Sequence, residues 1–175
     1  MENQDLVKLA LSYDLGSDLH EAWRSSRRLE NGTFKPRVKK SKDEEWNAIH
    51  GTDDVDIANC SFEDLPSNWQ YENLEAAKVV IGLVFEKTMS GIKFNKEDIE
   101  EMSKIIHEKW LERNSWVFDP NYGNPNLAVP YASLSEELKK KDRIQIEPAV
   151  SKVKDYMNGL INIEEIIYKY KLNII

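Results

Sequence analysis

Two short sequence motifs occur twice in this chain, in the same order, and they constrain its architecture more than any other feature. The first motif, His-Glu-x-Trp, stands at residues 20–23 and again at 107–110. The second, an aromatic residue followed three positions later by leucine and then by a polar helix start, stands at 62–67 and at 131–136. This order indicates a tandem duplication of one module, and the seam between two such halves is a natural place for a ligand.

The two copies differ in length. The first motifs lie 87 positions apart and the second motifs 69, so the first half has 18 extra residues between its motifs. We therefore predict a first, diverged repeat at 1–90 with a charged insertion at 28–60, a second repeat at 91–158 and an apolar C-terminal helix at 159–175. We expect the two repeats to be related by pseudo-two-fold symmetry.

Composition indicates a water-soluble globular chain. Of its 175 residues, 41% are hydrophobic and 31% are charged, which is ordinary for such proteins. The longest apolar stretch, residues 79–85, is too short to span a bilayer, and the acidic N-terminus does not resemble a signal peptide. The single cysteine, Cys60, cannot form an internal disulfide. These features predict a cytoplasmic protein with no membrane partner.

Charge is unevenly distributed along the chain. The net charge of −7 argues against general nucleic-acid binding. Residues 24–42 nevertheless contain eight basic residues and one acid, whereas residues 43–64 contain eight acids and no lysine or arginine. Two interpretations remain open: a solvated loop whose two arms attract each other, or a basic arm that meets an anionic ligand or partner.

The apolar residues recur mostly at helical spacing, which predicts a mainly α fold with short β-strands. The connection from residue 28 to residue 60 has little periodicity and is expected to form loop or short strands. We expect the C-terminal segment to dock on the body of the same chain, with a homodimer through this tail as the alternative. The predicted helices and their signals are 6–23, 66–87, 95–113 with a cap at Asn95, a short helix opened by a capping box at 133–136, one between Pro148 and Gly159, and one capped by Asn162.

Catalytic and metal-binding signatures are missing from the sequence. The His-Glu pairs at 20–21 and 107–108 resemble a zinc-protease helix, but Arg24 and Leu111 occupy the position of its second histidine. There is no deaminase cysteine motif, phosphate-binding loop or serine elbow. We therefore expect a non-enzymatic protein without metal or cofactor. The only zinc set worth considering is weak, and comprises His20, His50 and Cys60.

A structural role is predicted for the first motif. His20 and His107 are expected to fix a helix end against the loop that follows. Trp23 and Trp110 lie on the apolar stripes and are expected to anchor the core.

The second half resembles a known family. A helix ending at His107-Glu-Lys-Trp110 is followed by the aromatic–glycine pair 122–123, then by Leu127-Ala-Val-Pro-Tyr131 and by a lysine-rich helix ending at 142–143 in Asp-Arg. This order is similar to the ryanodine-receptor repeat, the RyR domain. The family has an arginine four residues beyond its tryptophan, where this chain has Asn114.

The first half fits the RyR pattern less well. His20, Trp23 and Arg27 match the opening motif, but residues 59–62 replace its Pro-Tyr motif and residues 73–74 replace its Asp-Arg pair. The resemblance implies a mainly helical module that occurs in tandem pairs in large calcium channels. It also implies a link to stand-alone bacterial and phage relatives, which have been suggested to recognise nucleotide-derived ligands in immunity and counter-immunity.

The best ligand-binding candidates lie downstream of the first motif. Trp116, Tyr122 and Tyr131 belong to an irregular, proline-rich segment that Arg113 and Arg143 flank. An aromatic face can stack a base and an arginine can pair with a phosphate, although plain loop packing is the competing role. The corresponding candidates in the first half are Arg37, Trp46 and Trp69.

The sequence thus favours a small non-enzymatic RyR-like protein that binds a nucleotide-derived signal of the ADP-ribose or cyclic-nucleotide type. It would sequester or sense that signal in phage–bacteria immunity. The alternative is a protein–protein interaction module that uses the apolar tail or the basic arm. A third interpretation is an enzyme that acts on a nucleotide-type ligand.

Overall fold

The computed structural model describes residues 4–172 and is mainly helical, with short strands, which confirms the predicted fold class. None of the helices it describes is long and apolar enough to cross a membrane. The elements are α1 (Gln4–Ser25), β1 (Val38–Lys40), α2 (Glu44–His50), β2 (Asp54–Asp56), α3 (Ser67–Met89), α4 (Lys96–Arg113), two 3₁₀ turns (Ser115–Phe118 and Tyr131–Ser133), α5 (Glu136–Arg143), α6 (Ile146–Met157) and α7 (Ile163–Lys169).

The chain forms two compact units. The first unit comprises residues 12–77, and the second comprises the chain before Ser12 together with the chain after Ala77. Helices α1 and α3 each contribute residues to both units. The repeat boundaries at 90 and 158, and the pseudo-two-fold relation, stay predictions.

The first unit is built around a close helix contact and a buried aromatic ring. Phe62 and Leu15 are fully buried in its core. Helix α1 continues through Gly16, where an added β-carbon would lie 3.4 Å from the carbonyl oxygen of Asn73 in α3. The bare backbone of Gly16 therefore lets the two helices pack closely without interrupting α1.

The charged insertion pairs its basic and acidic arms. Strands β1 and β2 are antiparallel, with Lys40 opposite Asp54. The ammonium of Lys40 lies 2.8 Å from Asp53 Oδ1 and 2.9 Å from Asp54 Oδ1. This pairing is what the interpretation of two attracting arms predicts.

Helix α2 was not predicted. Asp43 caps it by accepting from Trp46 N, and Gly51 ends it with a φ of 67°.

The long helix α4 of the second unit begins after its predicted cap, Asn95. The Asn95 side chain accepts from the backbone N–H of Asp98 at 2.8 Å, and the Asp98 carboxylate accepts from that of Asn95 at 3.1 Å. This reciprocal capping satisfies backbone donors that the first turn leaves unpaired. Met102 and Ile106 follow as buried residues on the inward face.

Two helix starts in this unit differ from prediction. Residues 131–133 form a 3₁₀ turn, so the cap of α5 is Ser135, which accepts from Leu138 N, and the predicted capping box at 133–136 is wrong. Helix α6 begins at Ile146, two residues before Pro148. Proline is tolerated there because the first turn has no intrahelical N–H bonds to lose.

The C-terminal helix packs within the single chain. Asn162 caps α7 by accepting from Glu164 N at 3.0 Å, as predicted. Ile163 and Ile166 are buried, which agrees with docking on the same chain. The last three residues of the predicted segment, 173–175, lie outside the described residues.

The aromatic–glycine loop requires glycine at position 123. An added β-carbon there would lie 2.3 Å from the carbonyl oxygens of both Val117 and Asp119. We predict that Gly123→Ala lowers the free energy of unfolding by about 1–3 kcal/mol, because the loop must shift to relieve the overlap. Urea unfolding measures this.

The matched control is Gly82→Ala in the interior of α3, where an added β-carbon meets no atom within 4 Å. This change should raise the free energy of unfolding by about 1 kcal/mol, because alanine favours helix more than glycine does. Equal effects of the two substitutions would contradict the loop geometry.

Candidate functional site

Each unit contains one buried histidine bonded to a loop carbonyl. Nε2 of His20 lies 3.0 Å from the Cys60 carbonyl oxygen, and Nε2 of His107 lies 2.8 Å from that of Val129. Because a carbonyl can only accept, Nε2 carries the proton in both rings. Each bond ties a helix to the loop that leads into the second motif, as the sequence predicted.

The aromatic neighbours of the two histidines correspond as well. The ring-centre distances are 5.8 Å and 6.4 Å from His20 to Trp23 and Phe62, and 6.1 Å and 6.3 Å from His107 to Trp110 and Tyr131. The repeated motifs therefore build the same local cluster in each unit. Trp23 and Trp110 are half-buried and lie outside the buried core, so the expectation that they anchor the core is wrong.

The two clusters differ in one polar neighbour. In the second unit Nδ1 of His107 lies 3.7 Å from Asp142 Oδ2, and burial raises the pKa of Asp142 to about 6. In the first unit burial lowers the pKa of His20. Asn73, which aligns with Asp142, donates its amide to the Trp69 carbonyl at 2.9 Å. The second cluster thus pairs its histidine with a largely buried carboxylate, whereas at His20 the charges of Glu21 and Glu63 oppose the effect of burial.

Arg143 and Tyr131 form a structural network. Tyr131 is 7% exposed, and its hydroxyl donates to Glu100 Oε2 at 3.1 Å. Arg143 Nε lies 2.6 Å from Glu100 Oε1, and its Nη1 donates to Glu136 Oε2 at 2.8 Å. Two carboxylates already compensate this guanidinium, so a ligand phosphate would have to displace them. The network fits the packing role better than ligand contact.

Three other candidates lie in the last turn of α4 and in the segment that follows it. Arg113 donates to the Lys109 carbonyl at 3.0 Å, and Trp116 donates its indole N–H to Asn114 Oδ1 at 3.0 Å. Tyr122 is 70% exposed on the following loop. Three cavities of 610–700 Å³ lie within the units, and of all the predicted site residues only Arg143 and Trp46 line them.

In the first unit the structure brings Arg37 and Trp69 to the same lysine. Lys39 Nζ lies 5.9 Å from the centre of the Trp69 ring, and the pKa of Lys39 is lowered by burial and by the charge of Arg37. Within residues 4–172 neither cation forms an ion pair with a carboxylate. The indole N–H of Trp69 donates to the Lys40 carbonyl at 3.2 Å, which holds the ring in place. We call this set the Arg37–Lys39–Trp69 surface.

Lys39 was not predicted as a site residue, although strand alternation could have found it. Side chains two positions apart in a strand point to the same face, and Arg37 and Lys39 are so spaced at β1.

Trp46 has a different environment. It stacks on His50 at 3.9 Å between ring centres and lines a cavity of about 660 Å³ with several carboxylates, Asp64 among them. Such a cavity repels phosphate.

A metal site is not formed by the described part of the chain, where no three His, Cys, Asp or Glu side chains are grouped to hold an ion. Of the weak zinc set, His20 uses Nε2 on the Cys60 carbonyl, and burial raises the pKa of the Cys60 thiol. A raised thiol pKa disfavours the thiolate that zinc binds.

Asp142 predicts a pH dependence of stability. Its carboxyl binds a proton more tightly in the folded chain, with a pKa of about 6, than at its ordinary value of 3.8. The folded state therefore holds the extra proton between these values, and stability falls as pH rises through this window. We expect Asp142→Asn to remove this loss. From pH 4 to pH 7 the free energy of unfolding of the wild type should therefore fall by about 2 kcal/mol relative to that of the variant.

Urea unfolding across that range measures the difference. Glu101→Gln, which removes a carboxylate from the exposed side of α4, should keep the wild-type pH dependence. A constant difference between wild type and Asp142→Asn at every pH would show that the carboxyl titrates normally.

Comparison of this chain with protein-family models, with curated proteins and with solved structures finds no match. The resemblance to the RyR domain therefore stays a prediction that rests on the sequence motifs alone.

Proposed function

We propose that this chain is a non-enzymatic binding protein for a nucleotide-derived anion, and that the ligand contacts the Arg37–Lys39–Trp69 surface. One observation carries the proposal: the Lys39 ammonium lies over the half-buried Trp69 indole within reach of the Arg37 charge, and the side chains of these two cations form no ion pair within residues 4–172. Like charges held together repel each other. An anion between them relieves this repulsion, so the surface favours a phosphate.

The chemistry of the three side chains fits a nucleotide. A guanidinium pairs with phosphate through two parallel N–H bonds, and an ammonium adds a second point of charge. A tryptophan face stacks a base with little sequence preference. Because Trp69 is already held by the Lys40 carbonyl, little ordering is needed on binding.

The second half is less suited to the same ligand. Its arginine, Arg143, is compensated by Glu100 and Glu136, and the ring of Tyr131 is buried beneath that network. The proposal therefore places the binding role in the diverged first half. There the charged insertion places the Lys39 ammonium over the Trp69 ring.

The RyR resemblance extends the proposal to biology. A stand-alone binder of an ADP-ribose-type or cyclic-nucleotide signal would act as a sink or a sensor in phage–bacteria immunity.

A second candidate function uses the basic arm at residues 24–42. There Arg27 stacks on Trp23 and Arg28 stacks on Phe34, and neither arginine forms an ion pair with a carboxylate in the described chain. Such a cationic strip would suit an extended acidic segment of a partner protein.

Thermal shift and calorimetry with ADP-ribose, ATP and cyclic dinucleotides test the proposal. A ligand present at 100 times its Kd should stabilise the fold by about 2.7 kcal/mol. We expect the double variant Arg37→Gln/Lys39→Gln to weaken binding by about 100-fold, because each charge-assisted contact contributes about 1.5–3 kcal/mol. Ligand recovered unchanged after denaturation identifies a binder, and converted ligand identifies an enzyme.

The control variant Lys96→Gln/Lys104→Gln removes the same charge from α4 in the second unit and should bind like wild type. An equal loss of affinity in both variants would show that the effect comes from net charge alone. Binding of an acidic peptide, with no stabilisation by any nucleotide at millimolar concentration, would overturn the proposal in favour of the protein-interaction function.

A further inference from the structure

The second unit contains an apolar groove of about 700 Å³ that the fold does not fill. Its lining comes from two segments, residues 88–99 and residues 143–154. Each segment exposes a large aliphatic side chain: Ile92 is 52% exposed and Ile144 is 57% exposed. Adjacent exposed apolar residues around a concave surface typically mark a binding site.

The charges at this groove are unbalanced. Lys93 belongs to one lining segment and Lys154 to the other, and both are exposed. Neither lysine forms an ion pair with any residue between 4 and 172. Arg143 also lines the groove, but Glu100 and Glu136 compensate its charge. Glu147 is the one carboxylate in the lining, so each segment presents apolar surface together with an ammonium that is left without a carboxylate.

We infer that this groove docks an amphipathic helix of a partner protein, with acidic residues on both sides of its apolar stripe. Such a helix lays its apolar face into a hydrophobic groove and directs its flanks to the groove edges. A lysine on each lining segment matches acids on both flanks. An amphiphile with a single anionic head would engage one lysine and leave the other.

This inference is independent of the proposed nucleotide site. The groove belongs entirely to the second unit, whereas the Arg37–Lys39–Trp69 surface belongs to the first. Failure of peptide binding therefore leaves nucleotide binding untouched, and the reverse holds as well.

Fluorescence anisotropy with two designed helical probes tests the inference. Both peptides carry the same leucine stripe, flanked by glutamates in one and by lysines in the other. We expect the glutamate peptide to bind at least about tenfold more tightly, because like charges across an interface are strongly unfavourable. The charge-swap variant Lys93→Glu/Lys154→Glu should reverse this preference.

Apolar contact is tested by Ile144→Asp, which should abolish binding of the glutamate peptide. Because the Ile144 side chain is more than half exposed, the variant should keep the wild-type circular dichroism and melting temperature. Tyr168→Asp is the matched control, since Tyr168 is 87% exposed and lies outside the groove lining. That variant should bind the peptide as the wild type does.

Three outcomes would overturn the inference. The first is a failed peptide test, in which neither peptide binds at millimolar concentration or the charge swap leaves the preference unchanged. The second is that dodecanoate binds and displaces the peptide from the groove, which would identify a small amphiphile as the occupant. The third is a wild-type dimer in light scattering that Ile144→Asp converts to a monomer, which would identify a second copy of this chain.

Discussion

The bond between a buried helical histidine and a loop carbonyl organises each unit of this protein. His20 reaches the Cys60 carbonyl across 40 residues, and His107 reaches the Val129 carbonyl across 22 residues. Breaking either bond would leave a buried donor and a buried acceptor unpaired, at a cost of about 1–3 kcal/mol for each group. The bond also fixes where the second motif begins, so that its aromatic ring packs against the histidine.

The two halves differ most in the segment between the helical histidine and the carbonyl that accepts from it, because the hydrogen bond fixes only the two ends of that segment. Between helix and carbonyl, the first half accommodates a strand pair, a short helix and the basic arm. The second half has a shorter proline-rich loop there. Elsewhere in that half, polar contacts of the half-buried Asp142 and of the half-buried Glu100–Arg143 pair tie elements together. Residues that tie one element to another are poorly available to a ligand. The accessible cations of the insertion are therefore the better binding residues.

Sequence patterns predicted the parts of this structure that depend on neighbouring residues. The caps at Asn95 and Asn162 and the long helices follow from spacing within one or two turns. Helix α2 escaped prediction because it has no buried residue. Its cap, Asp43, also accepts from the backbone N–H of Ser67 at 2.9 Å, a contact across 24 residues. Likewise, both Ser133 and Ser135 fit a cap, and only the 3₁₀ turn after Pro130 decides between them.

The residue types of the candidate site could be predicted from the sequence, but the pairing of their charges could not. Aromatic and arginine candidates were identified in both halves, including Arg37 in the charged insertion and Trp69 near the start of a helix. No local pattern reveals that Glu100 neutralises Arg143 from 43 residues away, which separates a packing arginine from an available one.

The central claim is that a nucleotide-derived anion binds at the Arg37–Lys39–Trp69 surface. The most direct measurement is a ¹H–¹⁵N NMR titration with ADP-ribose that follows the five tryptophan indole N–H signals separately. The account predicts that the Trp69 indole and the Arg37 and Lys39 amides shift together and saturate, while the Trp116 indole stays unchanged. Shifts confined to Trp116 and Tyr122, or no saturable shift at Trp69, would contradict it.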